Sequence, residues 1–247
     1  MRRHALWVGP LLCAMALVGV ALSGCGSAGG GQPALISRSD EISIGRDAAA
    51  KLEAQYGVDT NAARNQRLAG IGQRLVAAAD PDRGFAWRFR ILDQSEVNAL
   101  ALPGGFVYAT RGLMESPEVT DAQLAGVMGH EVAHVTRHHA ARQLEKALGA
   151  ELLVSIATRG SSTSLQQASS LAVQMALLKT DREAEYDSDR YGTIYADNAG
   201  YEAAGLLNFL RMLARQGGSE PRWSAFLRTH PLTQDRIDRL ERQVAAM

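Results

Sequence analysis

Two cysteines in 247 residues are too few for a disulfide framework, and they exclude any cysteine-built zinc module. Cofactor chemistry in this chain must therefore rest on histidine and carboxylate. Net charge is missing too. The 26 Lys and Arg residues balance 26 Asp and Glu, so the chain lacks the basic field that a nucleic-acid partner requires. Lysine is scarce, three against 23 arginines, which says nothing about mechanism. No internal repeat is visible. What is present, 46% hydrophobic and 21% charged residues, is enough for one catalytic domain with its own core.

Arg2, Arg3 and His4 precede an apolar run from Ala5 to Leu22 that ends in Leu22-Ser23-Gly24-Cys25. This is the layout of a bacterial export signal. A retained membrane anchor is the competing reading, but the run is at the lower limit of a bilayer span and is interrupted by Gly9, Pro10 and Gly19. Leu-Ser-Gly-Cys resembles the lipobox of bacterial lipoproteins. The resemblance implies that residues 1–24 are removed, taking Cys13 with them, and that Cys25 becomes a lipidated first residue. The mature chain then has no free thiol, which suits an oxidising periplasm, and several acyl chains on one residue give stable anchoring. Residues 25–38 are rich in Gly and without periodicity, a tether able to span on the order of 20 Å. Gly26, where an Asp would retain the protein at the inner membrane, implies the outer membrane.

The domain is expected over residues 39–247. Ser39-Asp40-Glu41 opens a helix to Tyr56, closed by Gly57, and Asn61 to Ala79 places Leu68, Ile71, Leu75 and Val76 on one face of a second. Phe85 to Ile91 alternates with a period of two, as a half-buried strand does. Val97–Leu102 and Phe106–Thr110 flank Pro103-Gly104-Gly105, which reads as a hairpin. Beyond Pro117 the pattern is helical. A capping box at Thr120-Asp121-Ala122-Gln123 opens a helix running towards Gly149, and Gly160 to Ser164 reads as a loop. A second box at Thr180-Asp181-Arg182-Glu183 opens a helix ending near Asn198-Ala199-Gly200. Helices over Glu202–Arg215 and Gln234–Ala246 follow. The fold class is α+β, mostly helical, with a small antiparallel sheet.

The helix after Thr120 carries His130-Glu131-Val132-Ala133-His134. Imidazoles four residues apart lie on one helix face about 6 Å apart along the axis, so both reach one zinc ion with the glutamate beside it. Neutral imidazole suits zinc, and the carboxylate can take a proton from water. Chance would produce about 0.01 such pentapeptides in a chain of this composition. A helix surface that merely carries these residues is the bland alternative. It is weakened by the small apolar turns before it, Ala125 to Gly129, where half-buried imidazoles need partners.

A hydrolytic zinc takes three protein ligands. The metzincin pattern is excluded, because its Gly and His positions are Arg137 and Ala140 here. His138 is too far along the axis from His130, about 12 Å, and His138 and His139 read as solvated helix residues. The remaining candidates are Glu183 and Glu185. Glu183 occupies the capping-box position, so its carboxylate turns back on its own backbone, whereas Glu185 is free to point inward and is preferred. Asp189, four residues on, shares that face and can accept the other ring N–H of a ligating histidine.

Four blocks together resemble the family of zinc metallopeptidases that includes the HtpX, CAAX prenyl protease and BepA types. They are Asn98 to Tyr108, His130 to His134, Glu185 to Asp189 followed by Gly192, and Thr229-His230-Pro231 with Arg236. Asp181 precedes Arg182 where relatives carry Ser, and Ser188 precedes Asp189 where they carry Ala; neither change touches a ligand. The transmembrane helices of the HtpX and prenyl-protease branches are missing, so the chain resembles the lipid-anchored periplasmic branch.

The resemblance implies a gluzincin-type fold holding one zinc per chain on His130, His134 and Glu185, with Glu131 as general base. By residue type alone His230 reads as a packing or turn residue. In relatives a histidine of that block sits over the zinc, either latching a closed state or assisting catalysis. Arg236 is expected to fix at least the terminal helix. The Asn98 segment borders the cleft in relatives, where an edge strand can pair with an extended substrate. Polypeptide substrates, above all unfolded envelope proteins, a lipid-mediated membrane contact and a link to outer-membrane assembly machinery follow from the same resemblance. Two other readings compete: a latent peptidase acting mainly as a chaperone, and a structural zinc lipoprotein, against which Glu131 argues.

Overall fold

The computed structural model describes residues 35–80, 84–158, 162–216 and 221–247. The export signal, Cys25 and the tether up to residue 34 lie outside the described residues. Ile36 to Arg38, read above as the end of the tether, belong to the fold. Ile36 is buried, Ser37 caps the first helix by accepting from Asp40 N, and Arg38 begins it.

Helices α1 (Arg38–Tyr56) and α2 (Ala62–Ala79) start at side-chain caps, Ser37 and Asn61, and α1 stops at Gly57 with φ 71°. Strands β1 (Arg88–Leu92), β2 (Ala99–Leu102) and β3 (Phe106–Thr110) form one sheet in the order β1-β3-β2. β2 and β3 are the expected hairpin, turned by Pro103–Gly105, but β1 lies parallel to β3. The sheet is therefore mixed rather than antiparallel throughout. The physical reason is the connection over residues 93–98, which is too long to be a tight turn and leaves room for β3 to enter between β1 and β2. Phe85 and Ile91 do share the buried face that the period of two predicts, although regular pairing begins only at Arg88.

The helices that follow are α3 (Arg111–Glu115), α4 (Asp121–Thr136), α5 (His139–Ala147), α6 (Ala150–Ala157), α7 (Ser162–Ala176), α8 (Arg182–Asn198), α9 (Gly205–Arg215), α10 (Ser224–Thr229) and α11 (Gln234–Ala245). The Thr120 capping box is present, with both reciprocal bonds to Gln123. Three expectations change. α4 does not run on towards Gly149 but ends at Thr136. The cap of α8 is Asp181, which accepts from Ala184 N, so Thr180 and Glu183 form no box. Ser162 to Ser164 are helical, while Gly160 and Ser161 lie outside the described residues. α10 carries no strong sequence signal, because a helix of six residues holds too few turns to show periodicity.

α4 is the axis of the domain. Every residue from Leu124 to Val135 is buried, with α2, the sheet, α8 and α9 packed around it. One sheet face (Ala99, Val107, Ala109) joins this core, and the other (Leu100, Leu102, Phe106, Tyr108) packs with α1, α5 and α7. α4 and α8 approach each other closely. A Cβ on Gly129 would stand 2.6 Å from the carbonyl oxygen of Gly192, and one on Gly192 would stand 2.5 Å from the amide nitrogen of His130. Gly192→Ala is therefore expected to force the two helices apart and destabilise the domain by about 1–3 kcal/mol. Gly70→Ala, where a new Cβ meets nothing within 4 Å, should stabilise by about 0.5–1 kcal/mol through helix propensity. Denaturant unfolding of the two variants checks both signs.

Candidate metal centre

The α4 backbone delivers His130, Glu131 and His134 into the core one helical turn apart, and α8 brings Glu185 and Asp189 to meet them. His230 arrives from the end of α10, and its side chain is buried with the others. One donor atom from each of His130, His134, Glu185 and His230 lies within 4.8 Å of the rest. His134 Nε2 is 3.0 Å and His230 Nδ1 is 3.3 Å from His130 Nε2. Glu185 Oε1 is 3.2 Å from His230 Nδ1 and 3.6 Å from His134 Nε2. A tetrahedral zinc with bonds of 2.0–2.1 Å spaces its ligands about 3.3 Å apart, so these separations match the edges of such a site.

The donor chemistry fits as well. His130 Nδ1 stands 2.9 Å from Asp189 Oδ1, which places its proton there and leaves the Nε2 lone pair facing the cluster. Glu131 Oε1 and Glu185 Oε2 are buried and accept no hydrogen bond. Arg236 is buried beside them. Its Nε and Nη2 grip Asp189 at 2.7 and 2.6 Å, and its Nη1 stands 2.8 Å from Glu185 Oε2 while donating to Pro231 O at 3.1 Å.

These neighbours set the protonation states. Burial would raise the Asp189 carboxyl, but Arg236 and His130 outweigh it and hold the group below the usual carboxylate range. Glu185 is held well below that range in the same way, by His230 and His130 against its own burial. Burial pulls His230 down, yet Glu185 and Glu131 on either side push it up to about 9. Burial is also what lowers His130.

Two histidines are not where the sequence put them. His138 and His139 were expected on a solvated continuation of α4. Because α4 stops, His138 sits instead in the left-handed region at φ 55° with its ring paired to the buried Glu41, and His139 is 6% exposed, packed under His134. Glu183 is exposed on the far side of α8. Asn98 proves to be an anchor. Its Oδ1 accepts from Thr229 Oγ1 at 3.3 Å and from Ala99 N at 2.9 Å, tying the hairpin to the segment that bears His230. Sequence reasoning gave Arg236 a role in the terminal helix and missed its grip on two carboxylates of the centre. It missed Glu41 entirely. Neither has a local signal, since their partners are 47 and 97 residues away.

Two histidines one turn apart on a buried helix, a glutamate between them and a carboxylate from a second helix make a donor set suited to one divalent metal ion. The chain belongs to peptidase family M48, which it matches over residues 62–244. It is 31% identical over 183 residues to the putative beta-barrel assembly-enhancing protease of Vibrio cholerae, and 28% identical over 183 residues to the beta-barrel assembly-enhancing protease of Escherichia coli K12. Each alignment covers 70% of this chain and 37% of the relative. It is also 26% identical over 162 residues to the metalloprotease LoiP of Escherichia coli K12, covering 64% of this chain and 63% of that one. The chain thus spans little more than a third of the length of the first two.

The buried guanidinium supports a test of the electrostatic frame. Arg236→Met leaves Asp189 and Glu185 buried without their cation, so unfolding free energy in the presence of chelator should fall by about 3–5 kcal/mol. Arg236→Lys should recover little, because a point charge cannot grip both Asp189 oxygens.

Proposed function

We propose that the chain is a zinc-dependent endopeptidase, held by lipid on Cys25 in the bacterial envelope, that hydrolyses misfolded or stalled envelope proteins. The observation that carries the hydrolytic reading is the convergence of His130, His134, Glu185 and His230 with Glu131 alongside. His130, His134 and Glu185 hold the metal. Zinc held by these residues would supply a Lewis acid for the scissile carbonyl and a lowered water pKa. Glu131, buried and without a hydrogen bond on Oε1, takes a proton from water and returns it to the leaving amine. Asp189 and Arg236 orient His130 and keep Glu185 ionised.

The conformation described is a closed one. His230 Nδ1 stands among the donors, and its Nε2 lies 3.3 Å from Glu131 Oε1, across the approach a substrate carbonyl needs. The cavity beside the centre, lined by Leu100 to Pro103, Glu131 and His134 and flanked by Ala172 and Met175 of α7, has a volume of about 40 Å³. β2, one of the sheet's two edge strands, forms one wall of this cavity. A substrate paired to it in extended form would be read chiefly through its backbone, so cleavage would be broad.

The lipobox-like Leu22 to Cys25 supports the envelope location. Among the described residues no helix is long and apolar enough to cross a membrane. The names of the Vibrio cholerae and Escherichia coli relatives support a role in outer-membrane assembly. His230 in the donor cluster favours the second reading, a peptidase latent for most of its life that acts in assembly as a chaperone.

Glu131→Gln should retain one zinc per chain while casein cleavage by the purified protein falls about 10²–10⁴-fold; proteolysis close to wild type sinks the base assignment. A Glu131→Gln protein that still supports outer-membrane assembly in cells favours the chaperone reading. His230→Ala should keep zinc, as measured by metal analysis, and cleave casein faster than wild type. Slower cleavage would reassign His230 from a latch to a participant in the reaction.

A further inference from the structure

Among the described residues His138 is the only non-glycine at positive φ. A left-handed backbone costs an L-residue about 1–2 kcal/mol, and such strain persists where the surroundings over-determine it. Here they do. Glu41, buried on α1, pairs with the His138 ring, and Phe85 packs against that ring at 5.5 Å between centroids. The effect of the kink is on the next residue. Had α4 continued, residue 139 would point about 140° around the helix from His134. The turn at 137–138 instead returns His139 beneath it.

His139 Nδ1 lies 3.0 Å from His134 Nδ1, with the two rings edge to face. Its Nε2 lies 3.2 Å from Asp187 Oδ2 on α8, and that oxygen also accepts from Arg137 Nε at 2.8 Å. Ser188 Oγ stands 3.2 Å from His139 Nδ1. We propose that His139 is a positioning residue for His134. Asp187 fixes the His139 proton on Nε2, leaving the Nδ1 lone pair to accept the Nδ1–H of His134 and aim the opposite nitrogen, Nε2, into the donor cluster. His130 is held by Asp189 and Arg236; His134 is held by His139, Asp187 and Arg137. Each of the two imidazoles of the helix is thus oriented through an aspartate of α8 that is itself gripped by an arginine, with one imidazole interposed on the His134 side.

The inference rests on the metal-binding reading of the centre, and its test separates the two. Zinc affinity of the full chain is measured by chelator competition, and the visible absorption of the Co²⁺-loaded protein reports ligand geometry. His139→Leu should weaken zinc about 10–100-fold and alter the Co²⁺ bands. His139→Asn, whose amide oxygen can take the place of Nδ1 as acceptor, should restore most of the affinity. Leu148→Ala, a core truncation at the end of α5 away from the centre, should lower stability and leave zinc affinity unchanged. Should His139→Leu not fold, Asp187→Ala replaces it, with weakening in the same direction.

Wild-type protein that binds neither Zn²⁺ nor Co²⁺ overturns the metal reading itself. Wild type that binds tightly, beside a folded His139→Leu with the same affinity and spectrum, overturns only the role of His139. So does a Leu148→Ala loss as large as that of His139→Leu, or a folded Asp187→Ala with unchanged affinity.

Discussion

Gly129 of α4 and Gly192 of α8 meet backbone to backbone, and the place of every charged group in the centre follows from that contact. With no side chain between the helices, α8 lies close enough for Glu185 and Asp189 to reach the imidazole of His130 across the crossing. From Leu124 to Val135 α4 is buried all round, so the polar side chains there have no water to fall back on. Each must be met by a group from another element. α8, the α10–α11 segment and the kinked start of α5 supply those groups, which is why residues far apart in sequence share one small volume.

The charges in that volume do not balance among themselves. Three carboxylates, Glu131, Glu185 and Asp189, are buried against two cations, the guanidinium of Arg236 and the imidazole of His230. Uncompensated buried charge is among the most destabilising features a protein can carry, and the excess here is what a divalent cation neutralises. The spacing of the donors and the sign of the excess are independent observations, and both favour a dication. Asp189 and Glu185 are also the two carboxylates Arg236 touches. The guanidinium therefore offsets part of the negative charge while leaving the donor atoms directed at the cluster.

Much of this was readable from the chain, and the readable part was local. His130, Glu131 and His134 announce themselves because one helix carries all three at the spacing their chemistry needs. Asp189 follows from Glu185 by the same four-residue step. The caps of α2 and α4 are set by side chains next to the backbone they satisfy. The hidden part was tertiary. No Gly or Pro marks the end of α4; it ends where Glu41, 97 residues earlier in the chain, holds His138 in a conformation its own propensity disfavours. With the helix assumed continuous, His139 was assigned to solvent. β1 joined the sheet in parallel because a third strand entered between it and its neighbour in sequence, which period-two alternation cannot show. The faces and the β2–β3 hairpin were read correctly, and the parallel pairing of β1 was not.

The same tertiary ties bear on the latch proposed for His230. His230 is fixed on both sides: Thr229 through Asn98 and through a backbone bond to Thr180, and Pro231 through Arg236. Moving that backbone would break contacts that also hold Asp189 and the β2–β3 hairpin, so a displacement of the whole segment would disturb the ligands it exposes. The side chain of His230 has no such tie beyond the donor cluster, Glu131 and the ring of Phe226. The smallest movement that uncovers the donors is a rotation of the imidazole alone, with Asn98 and Arg236 keeping the frame in place. Such a rotation would leave the carboxylates and the two helix imidazoles in position.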